Sequence, residues 1–404
     1  MDRVNSRAMK PAQYTPRVAN RTARIEPFKV MELVKQAHAL QAQGKPIIHL
    51  SIGEPDFGAP QPVRAALQHA LDEGDFPYTQ ATGLLNLREA ISNYYLTRFG
   101  VQVDPNRIIV TAGASAALTL ACAALVNPGD GVLMTDPGYP CNRHFVSAFD
   151  GVPKLVVCDA STRFQMTADA LAKHWAGDDV GTLIASPSNP TGTSIAWDEL
   201  CKIMDVVRAR KGFAIVDEIY LELTYGKKPR TVLELGDDMI VSNSFSKFFN
   251  MTGWRLGWLV VPPTLVSTFE KLSQNLYICP STLAQRAALT CFTEESLALF
   301  DDRKQIFAQR RDYIVPALQG IGLEIPVIPD GAFYAWLDVS KMGIGASALA
   351  HRLLHEAHIS VVPGEDFGHH RADDFIRLSY ATSMPQLEEA VGRLKNFFNA
   401  MNPK

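Results

Sequence analysis

The 404 residues carry 39 Lys and Arg against 42 Asp and Glu, a formal charge of −3, and 47% of them are apolar. Such a chain can bury a large core and is expected to form more than one compact unit, while its charge gives no electrostatic reason to expect nucleic acid or an anionic membrane as partner. Small molecules are the expected partners. No run of about 18 or more uncharged apolar residues occurs, so no bilayer-spanning helix is predicted. The six cysteines, Cys122, Cys141, Cys158, Cys201, Cys279 and Cys291, contain no CxxC pair and mostly lie in apolar stretches. They read as free buried thiols of a reducing compartment, which predicts a cytoplasmic location.

In chain order, residues 1–24 hold Arg3, Arg7, Lys10, Arg17, Arg21 and Arg24 against one acid, Asp2. That balance is like an organelle transit peptide, but Pro11 and Pro16 interrupt any amphipathic helix and serine is scarce, so residues 1–26 are predicted as a flexible arm suited to packing on another subunit. "EPFKVMELVKQAHALQAQG" has helical apolar spacing and a stop at Gly44. The runs "RIIVTAG", "GVLMTD", "PKLVVCD", "GTLIAS", "FAIVDEI", "MIVSNSF" and "GWLVV" then alternate with helix-length amphipathic segments, the pattern of a mainly parallel sheet covered on both faces. After about residue 290 come long charged helices and the strand candidates "AFYAWLDV", "ISVVPG" and "FIRLSYA". The predicted division is a large α/β domain over 48–289 and a smaller α+β domain from 27–47 and 290–404.

Parallel sheets of this kind bind ligands at the C-terminal ends of their strands, and four strand ends here carry suggestive groups. In "IIVTAGASAALTLACAAL", a tight turn at Gly113 leads into a helix whose first amides, at Ala114 and Ser115, and the Ser115 hydroxyl form an anion cup. "IASPSNPTG" presents Asn189, and "MIVSNSFSK" ends in Lys247. "FAIVDEIY" ends a buried strand in Asp217, where a carboxylate calls for a cationic partner. One ligand with a phosphate, a cationic ring nitrogen, a ring hydroxyl and an aldehyde meets all four, and pyridoxal 5′-phosphate is such a molecule.

With these motifs in this order from about residue 27 to 400, the chain resembles the class I/II aminotransferases of the aspartate aminotransferase superfamily, fold type I. The resemblance implies an α/β fold with a mostly parallel seven-stranded sheet in the large domain, and pyridoxal phosphate as cofactor. In "SFSKFFNMTGWR", Lys247 matches the Schiff-base lysine, and Ser244 and Arg255 match phosphate ligands beside the cup of Gly113, Ala114 and Ser115. Asp217 matches the partner of the pyridine nitrogen, Tyr220 and Asn189 the groups on the ring oxygen, and Tyr139 of "DPGYP" the ring stacked on the pyridine. Tyr78 of "FPYTQATGLLNLREAI" is similar to a tyrosine that reaches the phosphate across a homodimer interface. Arg377 of "FIRLSYA" corresponds to the arginine that takes the substrate α-carboxylate, a role suited to a guanidinium, and strand alternation puts it on the face of Phe375 and Ser379. Gly53 of "SIGEPDF" resembles the glycine of a mobile loop lying against the substrate. The implied reaction moves the amino group of an L-amino acid to a 2-oxo acid, with Lys247 as general base and then acid and Asp217 keeping the ring nitrogen cationic.

Other readings stay open at this level. The same apparatus serves C–S β-lyases. "GASAA" at 113–117 approximates a nucleophile elbow, with Ser115 as nucleophile and His369 or His370 as base, but Ala117 breaks the G-x-S-x-G pattern and no HGGG-like segment occurs. A regulator's effector domain would need a DNA-binding module for which the chain has no room. His351, His355 and His358 have metal-like spacing without a carboxylate or cysteine to complete a site, so no metal is expected. Neither GxGxxG nor a Walker motif occurs. Ser115 stands where some aspartate-using members place a lysine, and Gln274 is nearest to where others place an interface arginine. The donor is therefore left among aspartate, alanine, valine and aromatic amino acids, with 2-oxoglutarate or pyruvate as acceptor.

Overall fold

The structure, a computed structural model, describes residues 16–401; residues 1–15 of the expected arm lie outside it. Asn20–Arg24 forms a 3-10 turn, with Arg21 donating to the Ala148 carbonyl at 3.0 Å and Arg24 paired to Asp150. The helix Lys29–Ala42 follows, and the chain leaves it through Gly44 at φ +86°, a conformation that costs glycine least.

Among the described residues, twelve strands form three sheets. In chain order they are β1 (Ile48–His49), β2 (Ile108–Thr111), β3 (Gly131–Asp136), β4 (Val152–Val157), β5 (Asp179–Ala185), β6 (Phe213–Asp217), β7 (Ile240–Ser244), β8 (Gly257–Val260), β9 (Tyr334–Asp338), β10 (Ile359–Ser360), β11 (Val362–Pro363) and β12 (Phe375–Ser379). The largest sheet has seven strands in the order β2-β8-β7-β6-β5-β3-β4. All its pairings are parallel except those of β8, which is antiparallel to both neighbours. The exception has a cause in the chain. A parallel return needs a crossover, usually a helix, whereas β7 and β8 are joined through residues 245–256, which hold only a short 3-10 turn, Thr252–Trp254. That connection carries Lys247.

Because β8 runs opposite to both flanking strands, β2, β3, β5, β6 and β7 all point the same way and end at one edge. Most of their residues are buried, as expected of runs covered on two faces.

Strands β11, β12 and β9 form an antiparallel sheet, with Arg377 of β12 opposite Val362 and Trp336. The alternation expected for β12 is present. Ile376, Leu378 and Tyr380 pack into the main apolar core, and Phe375 into a separate cluster with Phe164, Trp336, Val362 and Phe367. The expected strand "ISVVPG" is divided into β10 and β11, and β10 pairs in parallel with β1. The long helix Glu294–Gly320 is capped by the Thr293 hydroxyl, which accepts from Ser296 N at 3.2 Å.

Three of the six free cysteines, Cys122, Cys158 and Cys291, are buried, and the other three are only half-buried. The His351 and His355 rings lie 4.3 Å apart on the surface, and among the described residues no group of three or more potential metal ligands occurs. Among these residues no helix is long and apolar enough to cross a membrane.

Candidate active site

The shared strand edge gathers most of the residues singled out in the sequence. β6 delivers Asp217, 5% exposed, whose Oδ1 accepts from Ile219 N at 3.2 Å. Burial pushes its carboxyl up to about 7, against the smaller opposing pulls of that N–H and of the Lys247 amine.

Lys247 stands in the turn after β7, where its Nζ donates to the Gly53 carbonyl at 2.5 Å. Burial draws its ammonium down to about 8, with Glu54 opposing the shift and the guanidinium groups of Arg377 and Arg255 adding to it. A lysine in that range holds an appreciable fraction of free amine near neutral pH, as a nucleophile or proton carrier requires.

Gly53 is the meeting point of a second chain of bonds. The Tyr220 hydroxyl lies 2.7 Å from that of Tyr334, and Tyr334 donates to the Gly53 carbonyl at 3.3 Å. Burial drives both phenols above their ordinary range, so they serve as neutral donors. A Cβ on Gly53 would stand 2.9 Å from the Tyr334 hydroxyl and 3.7 Å from Arg377, so only glycine lets the loop come this close.

Arg377 is 6% exposed. Its Nη1 donates to Asn189 Oδ1 at 2.9 Å and its Nη2 to the Ser51 carbonyl at 2.6 Å, and Nε has no partner. The guanidinium lies 4.5 Å from the centre of the Tyr334 ring and 5.0 Å from that of Phe367. Tyr139 precedes the helix Pro140–Ala148. Burial raises its phenol, and the charges that act on it, after its neighbour Cys141, include those of Tyr334 and Asp217.

At the end of β2, Gly113 has φ +87°, and the helix Ala114–Leu125 begins without any side-chain cap. Its first N–H groups are therefore free to meet an anion. Arg255 fills the space left by the missing side chain of Gly113: a Cβ there would lie 2.5 Å from Arg255 Nη2. Ser244 Oγ donates to the Leu256 carbonyl at 3.1 Å and lies 2.9 Å from Ser246 Oγ, which ties β7 to the Arg255 segment. A positive group beside uncapped amides is a fitting seat for a phosphate.

Two predicted residues stand apart. Ser115 is exposed on the first turn of its helix. Tyr78 is 79% exposed and has no polar contact with this site, its segment being held instead by Thr282, whose hydroxyl donates to the Pro77 carbonyl at 2.7 Å. The sequence reading missed Tyr334. Its only signal was a phenol inside the otherwise apolar run "AFYAWL".

Among the described residues, Lys247, Arg255 and Arg377 form no ion pair with an acid, and Asp217 forms none with a cation. Three free cations around one buried acid suit a ligand with two anionic groups and one cationic group. The sequence model of the family "Aminotransferase class I and II" matches residues 45–394. The chain belongs to this family.

A valine–pyruvate aminotransferase of Mycobacterium tuberculosis is 39% identical over 384 residues, covering 94% of this chain and 98% of that protein. An aspartate aminotransferase of Thermotoga maritima is 32% identical over 386 residues, covering 95% and 100%. Among solved structures, an aminotransferase from Mycobacterium tuberculosis superimposes with a TM-score of 0.92 at 38% identity, covering 96% of this chain and 100% of the other. The seven-stranded sheet and strand directions are those of fold type I. The protein is an amino-acid aminotransferase, and aminotransferases of this class and fold depend on pyridoxal phosphate. The hydrolase alternative finds no support in the geometry: among the described residues Ser115 has no histidine partner, and the backbone N–H groups of His369 and His370 bind Asp136.

Proposed function

We propose that this aminotransferase carries pyridoxal phosphate on Lys247 and takes a neutral aliphatic amino donor, of the valine or alanine type, with pyruvate as acceptor. The observation that carries the proposal is the set of charges without partners around Asp217. Arg255 and the N-terminus of the helix Ala114–Leu125 suit the phosphate, with Ser244 beside them. Asp217 suits the ring nitrogen, Asn189 and Tyr220 the ring oxygen, and Tyr139 the ring face. When bound, the cofactor supplies a sink for the electrons of the broken Cα–H bond.

The chain's own groups do the rest. Asp217, ionised beside a cation, favours the protonated ring nitrogen, the same mutual effect that lowers a carboxyl next to a positive charge. Lys247, once free, carries the proton from the substrate Cα as base and returns it as acid. Arg377 holds the α-carboxylate, for which its unpartnered Nε and its two Nη groups offer donors. Gly53 and Tyr334 shape the space in front of the lysine.

With Arg255, Arg377 and Lys247 so engaged, no further cation among the described residues at the site is left for a side-chain carboxylate. Ser115 and Gln274 bring none, and an unpaired carboxylate inside the site is costly. The mycobacterial relative named for valine and pyruvate fits the same choice. The exposure of Tyr78 supports a homodimer in which it serves the neighbouring site, and the free cysteines support a cytoplasmic location. The division into a domain over 48–289 and one from 27–47 and 290–404 belongs to the same proposal.

A panel of amino donors with pyruvate and with 2-oxoglutarate tests it. Valine or alanine is expected to exceed aspartate in kcat/KM by at least about tenfold; an aspartate preference would overturn the donor assignment. Arg377→Lys, which keeps the charge but loses the planar fork, is expected to lower kcat/KM by about 2–5 kcal/mol, roughly 30-fold to several thousandfold, with a rise in KM for every donor.

A further inference from the structure

Arg303 and Arg310 lie seven residues apart on the helix Glu294–Gly320, two turns along the same face, and both reach the loop that carries Gly53. Arg310, 4% exposed, holds Asp56 with two parallel bonds of 2.7 and 2.8 Å. The Phe57 ring lies 5.1 Å from the Arg303 guanidinium and 5.2 Å from that of Arg310. Arg303 does something further. Its Nη1 donates to the Gly58 carbonyl at 2.8 Å and to Asn250 Oδ1 at 2.7 Å.

Asn250 belongs to the other wall of the site. It is 3% exposed, has φ +53°, and its Nδ2 and backbone N–H both donate to the Lys247 carbonyl, at 2.9 and 3.2 Å. One guanidinium nitrogen is thus bonded to both segments whose far ends meet in the contact between Lys247 Nζ and Gly53. Between these segments, residues 54–59, Asn250 and residues 252–254 line an open cavity of about 500 Å³. Among the described residues no side chain fills it, so little packing holds the two walls in register there and a charge-assisted bond across them matters more.

We propose that Arg303 is a positioning residue for transamination: by bridging Gly58 and Asn250 it holds the Lys247 amine against Gly53. The inference rests on Lys247 being the cofactor-bearing lysine. Without the bridge the walls are free to part and water enters around the amine. A catalytic group displaced by about 1 Å can lose on the order of 100-fold in rate.

The test uses full-length Arg303→Gln and Arg303→Lys stripped of cofactor. The rate of pyridoxal phosphate capture is followed against pH, the site of capture is mapped, and single-turnover rates with a fixed amino donor are then measured. In Arg303→Gln the pH midpoint of capture is expected to rise towards the ordinary lysine value, because admitted water relieves the burial that lowers it. The rate constant is expected to fall about 10- to 100-fold with little change in the concentration for half-saturation, and Arg303→Lys to recover part of both. An unmoved midpoint with an unmoved rate, or a rate loss that merely follows the fraction of folded protein, would overturn the role of Arg303. If Arg303→Gln does not fold, Asn250→Gly, which tolerates the φ of +53° and removes the side-chain acceptor for Arg303, is expected to show the same rate loss, and a parental rate there overturns the proposal. Capture by the parent at a residue other than Lys247 would instead defeat the cofactor assignment itself.

Discussion

Lys247→Ala is expected to remove the visible absorbance of the lysine-bound cofactor and to lower turnover by at least about 10²–10⁴-fold, the usual contribution of a positioned acid–base group. Loss of the covalent link comes on top of that. The variant is still expected to take up pyridoxal phosphate, because Arg255, Ser244 and the uncapped helix at Gly113 keep their own groups when the Lys247 amine is removed. That uptake would be reversible, so dialysis should strip the variant and leave the parent yellow. The two measurements separate a lysine that reacts from one that only fills space near the Gly53 carbonyl.

Asp217→Asn is expected to lower turnover on the order of 10²–10³-fold, as removal of one well-placed charge partner does in a dry site. The loss should come with unchanged folding. In the cofactor-free protein the same substitution is expected to stabilise, and the pH dependence of that gain gives the sign. Burial raises the Asp217 carboxyl from 3.8 to about 7. Between those values the folded protein binds more protons here than the unfolded chain, so the contribution of Asp217 to stability falls as pH rises through the window. Asparagine has no such penalty. The advantage of Asp217→Asn should therefore be largest above pH 7, on the order of a few kcal/mol or a few degrees in Tm, and should shrink towards pH 4. Saturation with pyridoxal phosphate should cancel it, since a cation facing Asp217 removes the cost of its charge.

The fold was legible because the sheet strands are short continuous apolar runs. "FAIVDEI" and "MIVSNSF" became β6 and β7 with the chemical residues at their ends, since a strand buried on both faces admits polar groups only where it stops. The antiparallel turn of β8 was not legible, because it depends on a connection too short for a crossover rather than on anything in the strand itself. Within the site, Asp217, Asn189 and Lys247 could be named because polar groups where buried strands end are conspicuous, and Arg255 and Arg377 through the resemblance of their motifs to the family. Tyr334 escaped since an aromatic ring in a strand reads as core, and it does pack as core at 0% exposure while its hydroxyl faces Gly53. Arg303 and Asn250 escaped for another reason. Their bonds join residues 53 positions apart in the chain, and no periodicity reports such a distance.

The most direct test is reduction of the purified holoenzyme with borohydride, followed by mapping of the labelled peptide. A pyridoxyl group on Lys247, within "SNSFSKFFNMTGWR", is the expected result. A label on any other lysine, or a reduced protein that gives up all its cofactor when denatured, would contradict it.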